Sequence, residues 1–128
     1  VRLLFDGGVR RVYWIGQPIM PDAAFDRQMK VLNDIYRSEA EKTPGVQYID
    51  AYQALSDGAG FSQYLRDEKG KMQQVREADG EHLTYAGGMR LAKVVMAAIK
   101  ADWFQKKTPP AGSASPSPKA PETATPEL

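Results

Sequence analysis

The stretch RVYWIGQP, residues 11–18, decides the fold class of this chain. Its centre is an uninterrupted apolar run of Val12, Tyr13, Trp14 and Ile15, and Pro18 ends the run. A strand whose apolar residues do not alternate with polar ones is typical of a parallel sheet that is covered on both faces. The run therefore predicts a buried strand in an α/β domain.

A helix and a second strand follow this run. Asp22 is a suitable N-cap for a helix over residues 23–41, and its predicted apolar stripe consists of Phe25, Met29, Leu32 and Tyr36. The segment TPG at residues 43–45 breaks the helix, and VQYID at residues 46–50 predicts the next strand. Strand, helix and strand in this order indicate one parallel crossover unit.

The rest of the chain predicts a hairpin and a long final helix. The segments FSQYLRD and KMQQVRE flank Gly70, which can supply a turn. Thr84 is a suitable N-cap, and the apolar face of the helix after it consists of Leu91, Val95, Ala98 and Ile99, with Trp103 or Phe104 closing its end. Gly87 and Gly88 weaken its first turn, which indicates close packing against the sheet or, alternatively, an anion site.

Composition excludes several classes of protein. The 17 basic and 16 acidic residues are interspersed, without the basic stripe that nucleic-acid binding requires. No apolar run approaches the ~18 residues of a membrane span. With one histidine and no cysteine, the chain cannot form disulfides, and we expect no metal site.

The predicted domain covers residues 1–107. Residues 108–128 are rich in Pro, Ala, Ser and Thr, and we expect them to form a disordered tail. One crossover unit and a hairpin supply fewer strands than the about five of a usual doubly wound sheet. The chain also lacks an initiator Met. We therefore expect only the C-terminal half of a larger α/β domain.

The stretch DGEHLT, residues 79–84, contains the only histidine. Asp79 precedes His82 by three positions, with the permissive Gly80 between them. At this spacing the carboxylate can reach the near ring nitrogen and fix the tautomer, which leaves the far nitrogen free to take a proton from a serine hydroxyl. The alternative is an exposed histidine beside a helix N-cap, with Asp79 bonded to amides of the loop.

This block and the order of elements resemble the end of the SGNH (GDSL-type) ester hydrolase family. In that family Asp-x-x-His precedes the C-terminal helix and supplies the acid and base of a triad, and Asp79 and His82 match it. The wider pattern of VYWIGQP, YIDAY and R-x-x-D-G-x-H-x-T-x-x-G resembles a branch of periplasmic, SGNH-like bacterial proteins of unknown function. The resemblance implies a flavodoxin-like, three-layer α/β/α fold, a periplasmic or secreted location, and no cofactor.

The chain departs from the family's pattern at the nucleophile. The family's Gly-Asp-Ser serine and its oxyanion-hole Gly and Asn precede the strand that begins here at Arg11, and none of them is matched. Ser56 and Ser62 are in loops, and neither follows an apolar strand. We therefore expect this segment alone to be inactive, because acyl transfer needs a nucleophile and oxyanion donors.

Two more residues are candidates for substrate binding. Gln17 lies at the end of the first strand, where ligands bind in open parallel sheets. Arg76 could hold a substrate carboxylate or phosphate, or form an ion pair with Glu77 or Asp79. Glu81 is predicted to face solvent.

The sequence thus predicts part of an enzyme that hydrolyses or transfers an O-linked acyl group, such as acetyl, on a small molecule or a cell-envelope glycan. One alternative is a non-catalytic envelope protein that uses the same cleft for binding. Another is a flavodoxin-like regulatory or nucleotide-binding domain, although no glycine-rich phosphate loop follows a strand.

Overall fold

The computed structural model describes residues 1–104, so the predicted tail lies outside the described residues. The elements in chain order are α1 (Arg2–Asp6), β1 (Val12–Ile15), α2 (Ala23–Lys42), β2 (Val46–Ile49), α3 (Ala51–Ala54), β3 (Tyr64–Arg66), β4 (Met72–Gln74) and α4 (Tyr85–Phe104). A parallel strand pair with its crossover helix confirms the α/β class. Among these helices, none has the length and apolar content to cross a bilayer.

Strands β1 and β2 pair in parallel, with Val12 opposite Val46 and Ile15 opposite Ile49. Helix α2 forms the crossover, and both α2 and α4 contact β2. Strand β1 is less covered than its sequence predicts, since the Ile15 side chain is 41% exposed. In residues 1–104, β1 also has a neighbouring strand along only one edge.

Helix α2 begins where the sequence predicts, because the Asp22 carboxylate accepts a hydrogen bond from the Phe25 N–H at 2.7 Å. Its buried face matches the predicted stripe in part. Met29 is buried and Leu32 and Tyr36 are half-buried, as predicted, whereas Phe25 is 37% exposed. The other buried residues are Asp26, Asn33 and Ala40, so two polar side chains also face the interior.

These two polar side chains bind the backbone that follows β1. The Asp26 carboxylate accepts from the Met20 N–H at 2.9 Å. The Asn33 amide accepts from the Gln17 N–H at 2.6 Å and donates to the Gln17 carbonyl at 2.8 Å. Because buried polar groups need such partners, these bonds explain why Asp26 and Asn33, rather than Phe25, face inward.

The predicted hairpin is confirmed. Strands β3 and β4 pair antiparallel, with Tyr64 opposite Gln74. Gly70 has a φ of +78°, a conformation that glycine adopts without strain, and its N–H donates to the Asp67 carbonyl at 2.9 Å. Leu65 and Val75 of the hairpin region are buried in the core.

Helix α4 follows Thr84, its N-cap, as predicted. The Thr84 hydroxyl accepts from the Gly87 N–H at 3.2 Å and donates to the Gln74 carbonyl at 2.6 Å. Gly87 is packed so closely that an added Cβ would lie 2.1 Å from the Val75 carbonyl oxygen, while Gly88 has open space around it. The prediction of close packing is therefore confirmed for Gly87 and wrong for Gly88.

The far end of α4 is held by a charge contact rather than an aromatic one. Trp103 and Phe104, predicted to close this end, are 59% and 80% exposed. The Asp102 carboxylate instead accepts from the Tyr13 hydroxyl at 2.8 Å and from the guanidinium of Arg11. These bonds join the end of α4 to the start of β1.

Candidate active site

Residues 76–83, which we name the histidine turn, form a tight reverse loop between the hairpin and α4. Arg76 and Leu83 form an antiparallel bridge at its base. Within it, the Glu77 N–H donates to the His82 carbonyl at 2.8 Å and the Gly80 N–H donates to the Glu77 carbonyl at 2.9 Å. Gly80 has a φ of +75°, so the turn requires the glycine found there.

Asp79 bonds to the loop amides and to the imidazole at the same time. Its Oδ1 accepts from the N–H groups of Glu81 at 2.9 Å and His82 at 3.0 Å. Its Oδ2 lies 2.6 Å from Nδ1 of His82. The two interpretations of the spacing are thus compatible, because the amide bonds orient the carboxylate so that its second oxygen faces the ring.

The two groups perturb each other's protonation. The His82 hydrogen bond, followed by the amide bonds, lowers the pKa of Asp79 to about 2. The hydrogen bond and charge of Asp79 raise the pKa of His82. With Nδ1 donating to the carboxylate, Nε2 of the neutral ring is an available base. The His82 side chain is 78% exposed, so a reacting group can approach it.

The histidine turn packs on the segment after β1, which comprises residues 16–21. Arg76 donates through Nη2 to the Ile19 carbonyl at 2.8 Å. A Cβ on Gly80 would lie 3.0 Å from Pro21 and 3.2 Å from Phe61. The turn that carries Asp79 and His82 therefore packs against the segment that follows the carboxyl end of β1, the side on which open α/β sheets bind their ligands.

Arg76 is completely buried. Its Nη1 donates to the Glu81 carbonyl at 2.8 Å, and its guanidinium lies 5.9 Å from the ring centre of Phe61. The prediction of an ion pair with Glu77 or Asp79 is wrong for the described residues, since both hydrogen bonds of the Arg76 side chain go to backbone carbonyls. Burial lowers the pKa of this guanidinium. Arg76 therefore belongs to the framework of the turn.

Gln17 lies at the carboxyl end of β1, as predicted, and is partly buried. Its backbone is held by the side chain of Asn33. Its role in substrate binding stays a prediction. Glu81 is exposed, in agreement with the sequence.

The two loop serines are engaged in their own turns. The Ser56 hydroxyl accepts from the Gly58 N–H at 3.0 Å. The Ser62 hydroxyl donates to the Tyr64 carbonyl at 2.7 Å. In residues 1–104, neither hydroxyl bonds to His82, and no cluster of three or more acidic or histidine side chains could hold a metal ion.

An open groove of about 780 Å³ is lined by Ile19, which Arg76 contacts, but by neither Asp79 nor His82. Its walls include Ile19, Lys30, Tyr52 and Arg90, together with the loop Ser56–Gly60. We place the candidate site at Asp79 and His82 rather than in this groove, because the pair has the proton-transfer geometry and the shifted pKa values.

Comparison with known proteins gives a family and a fold. The pattern of a family described as "Protein of unknown function (DUF459)" matches residues 3–98. A solved structure from Streptococcus pneumonia, provisionally named a platelet activating factor, is similar with a TM-score of 0.52 at 16% identity, covering 77% of this chain and 45% of that chain. The chain thus spans less than half of that protein, and the likeness shows the fold alone. No curated protein matches the chain.

Proposed function

We propose that this chain, which belongs to the DUF459 family of proteins of unknown function, is the C-terminal part of an SGNH-type ester hydrolase. The basis for this is its Asp79–His82 pair. His82 is the general base and Asp79 orients it. The observation that carries this proposal is the 2.6 Å contact between Nδ1 and the carboxylate on an exposed turn.

The proposed chemistry follows from the two faces of the imidazole. Nε2 takes the proton of a serine hydroxyl as its oxygen attacks the ester carbonyl, and Asp79 stabilises the imidazolium that forms. The same proton then passes from Nε2 to the departing alcohol. Departure of the alcohol leaves the serine acylated. A water molecule then gives a proton to Nε2 as its oxygen attacks the acyl carbonyl, and Nε2 returns the proton to the serine oxygen as the carboxylic acid is released. In this proposal the serine and the oxyanion donors lie outside these 128 residues.

The substrate class in this proposal is an O-acyl ester, with acetyl as the expected acyl group. The exposure of the His82 side chain is compatible with a small ester or with an ester on a bulky glycan. We propose a periplasmic or secreted protein that acts on such an ester, following the resemblance of its motifs.

The test is p-nitrophenyl acetate hydrolysis by the full-length natural protein and its His82→Ala variant, matched for folding by circular dichroism. We expect kcat/KM to fall by about two decades or more, because a general base contributes about 10²–10⁴-fold. Glu81→Ala is the matched control in the same turn. Its side chain is exposed and its backbone bonds survive the substitution, so its activity should stay close to wild type.

Equal activity in wild type and His82→Ala would contradict the proposal. Absence of activity in both, with p-nitrophenyl acetate and with an acetylated oligosaccharide, would favour the non-catalytic binding protein.

A further inference from the structure

We propose that Arg76 is a positioning residue, whose buried guanidinium ties the histidine turn to the segment after β1. One donor, Nη1, binds the Glu81 carbonyl in the turn at 2.8 Å. The other, Nη2, binds the Ile19 carbonyl at 2.8 Å, although Ile19 is 57 positions away in the chain. A single rigid group therefore sets the distance between the two segments.

The bond to Glu81 acts directly on the Asp79–His82 pair. The Glu81 carbonyl and the His82 N–H belong to the same peptide unit, which is planar. Arg76 holds the oxygen side of this unit, and the Asp79 carboxylate holds the N–H side at 3.0 Å. Without Arg76 the peptide could rotate, and Asp79 would lose one of the bonds that orient it toward the imidazole.

Electrostatics favour positioning over plain stabilisation as the role of Arg76. The guanidinium is completely buried, and in the described part of the chain its polar bonds go to carbonyls and not to a carboxylate. Burying a cation without a counter-ion is costly, and in the described residues the buried Nε of Arg76 has no hydrogen-bond partner. The benefit of arginine here is its planar fork, which reaches two acceptors in fixed directions.

The test measures the His82 imidazole by NMR in the full-length natural protein, with its signal assigned by its absence in His82→Ala. In Arg76→Gln we expect the His82 pKa to fall toward its ordinary range, because Asp79 no longer holds Nδ1 firmly. Three carboxylates raise the His82 pKa through their charge, namely Asp79, Glu81 and Glu77, and the substitution leaves all of them in the chain. We also expect kcat for ester hydrolysis to fall by about tenfold or more with KM little changed, since small misplacements of a catalytic group are that costly.

Arg90→Gln is the matched control. Arg90 also donates to two carbonyls, those of Ala54 at 2.7 Å and Arg66 at 2.9 Å, and within residues 1–104 its side chain forms no hydrogen bond to the turn. Its loss should lower the free energy of unfolding and leave the His82 pKa unchanged. A folded Arg76→Gln protein with the wild-type His82 pKa would overturn the inference.

The effect on kcat rests on the proposed function, whereas the effect on the pKa does not. A fall in the His82 pKa in a protein without esterase activity would support positioning and remove the hydrolase proposal. If Arg76→Gln does not fold, Arg76→Lys is titrated in its place and should show a smaller fall, because one ammonium cannot reach both carbonyls. If neither variant folds, Arg76 is required for folding itself, and the inference of a positioning role is overturned.

Discussion

Asp79 divides its two carboxylate oxygens between two functions. Oδ1 accepts two amide N–H groups and stabilises the turn, and Oδ2 contacts the imidazole. The amide bonds do not depend on whether His82 is protonated. The carboxylate is therefore in place before a proton arrives on the ring, which is the arrangement that a general base requires.

Replacing Asp79 by Asn should separate these two functions. The Asn oxygen can still accept the amide bonds, but the neutral side chain no longer stabilises an imidazolium. We expect the His82 pKa, which Asp79 raises, to fall to its ordinary range in an NMR titration. The matched variant Glu81→Gln should change it much less. An unchanged value in Asp79→Asn would mean that the pair does not form in solution.

The difference in stability between wild type and Asp79→Asn should depend on pH. The lowered pKa of Asp79 makes its contribution present above about pH 4 and lost as the pH falls toward about 2. The raised pKa of His82 makes its contribution fully present below about pH 6.5 and lost as the pH rises through the raised value. The difference in urea midpoint between wild type and Asp79→Asn should therefore be largest at about pH 5. A difference that grows at pH 9 would contradict this sign.

At the scale of elements, the first turn of α4 joins the hairpin to the final helix. Thr84 bonds both to Gly87 within the helix and to Gln74 at the end of β4. Gly87 lets the helix backbone approach the carbonyl of Val75. The direction in which α4 leaves the histidine turn is therefore set by one hydroxyl and one missing side chain.

Substitution of the adjacent Gly87 and Gly88 tests this packing directly. Gly87→Ala should lower the free energy of unfolding by about 1–3 kcal/mol, because its Cβ would overlap the Val75 carbonyl. Gly88→Ala should raise it by about 0.5–1 kcal/mol, because the site is open and alanine favours the helix. Urea unfolding of the two variants measures both changes. Equal effects at the two positions would show that α4 does not pack on Val75 in this way.

At the scale of the molecule, the described residues form two separate two-stranded sheets. Strand β1 pairs along only one edge in residues 1–104, and apolar side chains remain exposed on the strand and on both long helices. They include Ile15, Val31, Ile35, Met96 and Trp103. Such a surface leaves part of the usual hydrophobic stabilisation unused.

We therefore expect the isolated 128-residue chain to fold poorly. Its open strand edge and uncovered apolar side chains should give a broad thermal transition and concentration-dependent association. Circular dichroism melts at several protein concentrations measure this. A sharp two-state transition of a monomer would contradict the prediction.

Local chemistry was readable from the sequence alone. The Asp22 cap, the Gly70 turn, the Thr84 cap and the approach of Asp79 to His82 each join groups within about four positions of one another. The apolar run of β1 also predicted its parallel pairing. These features establish the α/β class, the order of β1, α2, β2, the hairpin and α4, and the candidate acid–base pair, whereas α3 was not predicted.

Only the tertiary structure decided which polar side chains are buried. Asp26, Asn33 and Arg76 have ordinary sequence surroundings, yet each binds backbone that lies elsewhere in the chain. The contrast between Gly87 and Gly88 likewise depends on a carbonyl of the neighbouring hairpin. The physical reason is that the free energy of burying a polar or crowded group depends on its partners, and here those partners are brought together only by folding.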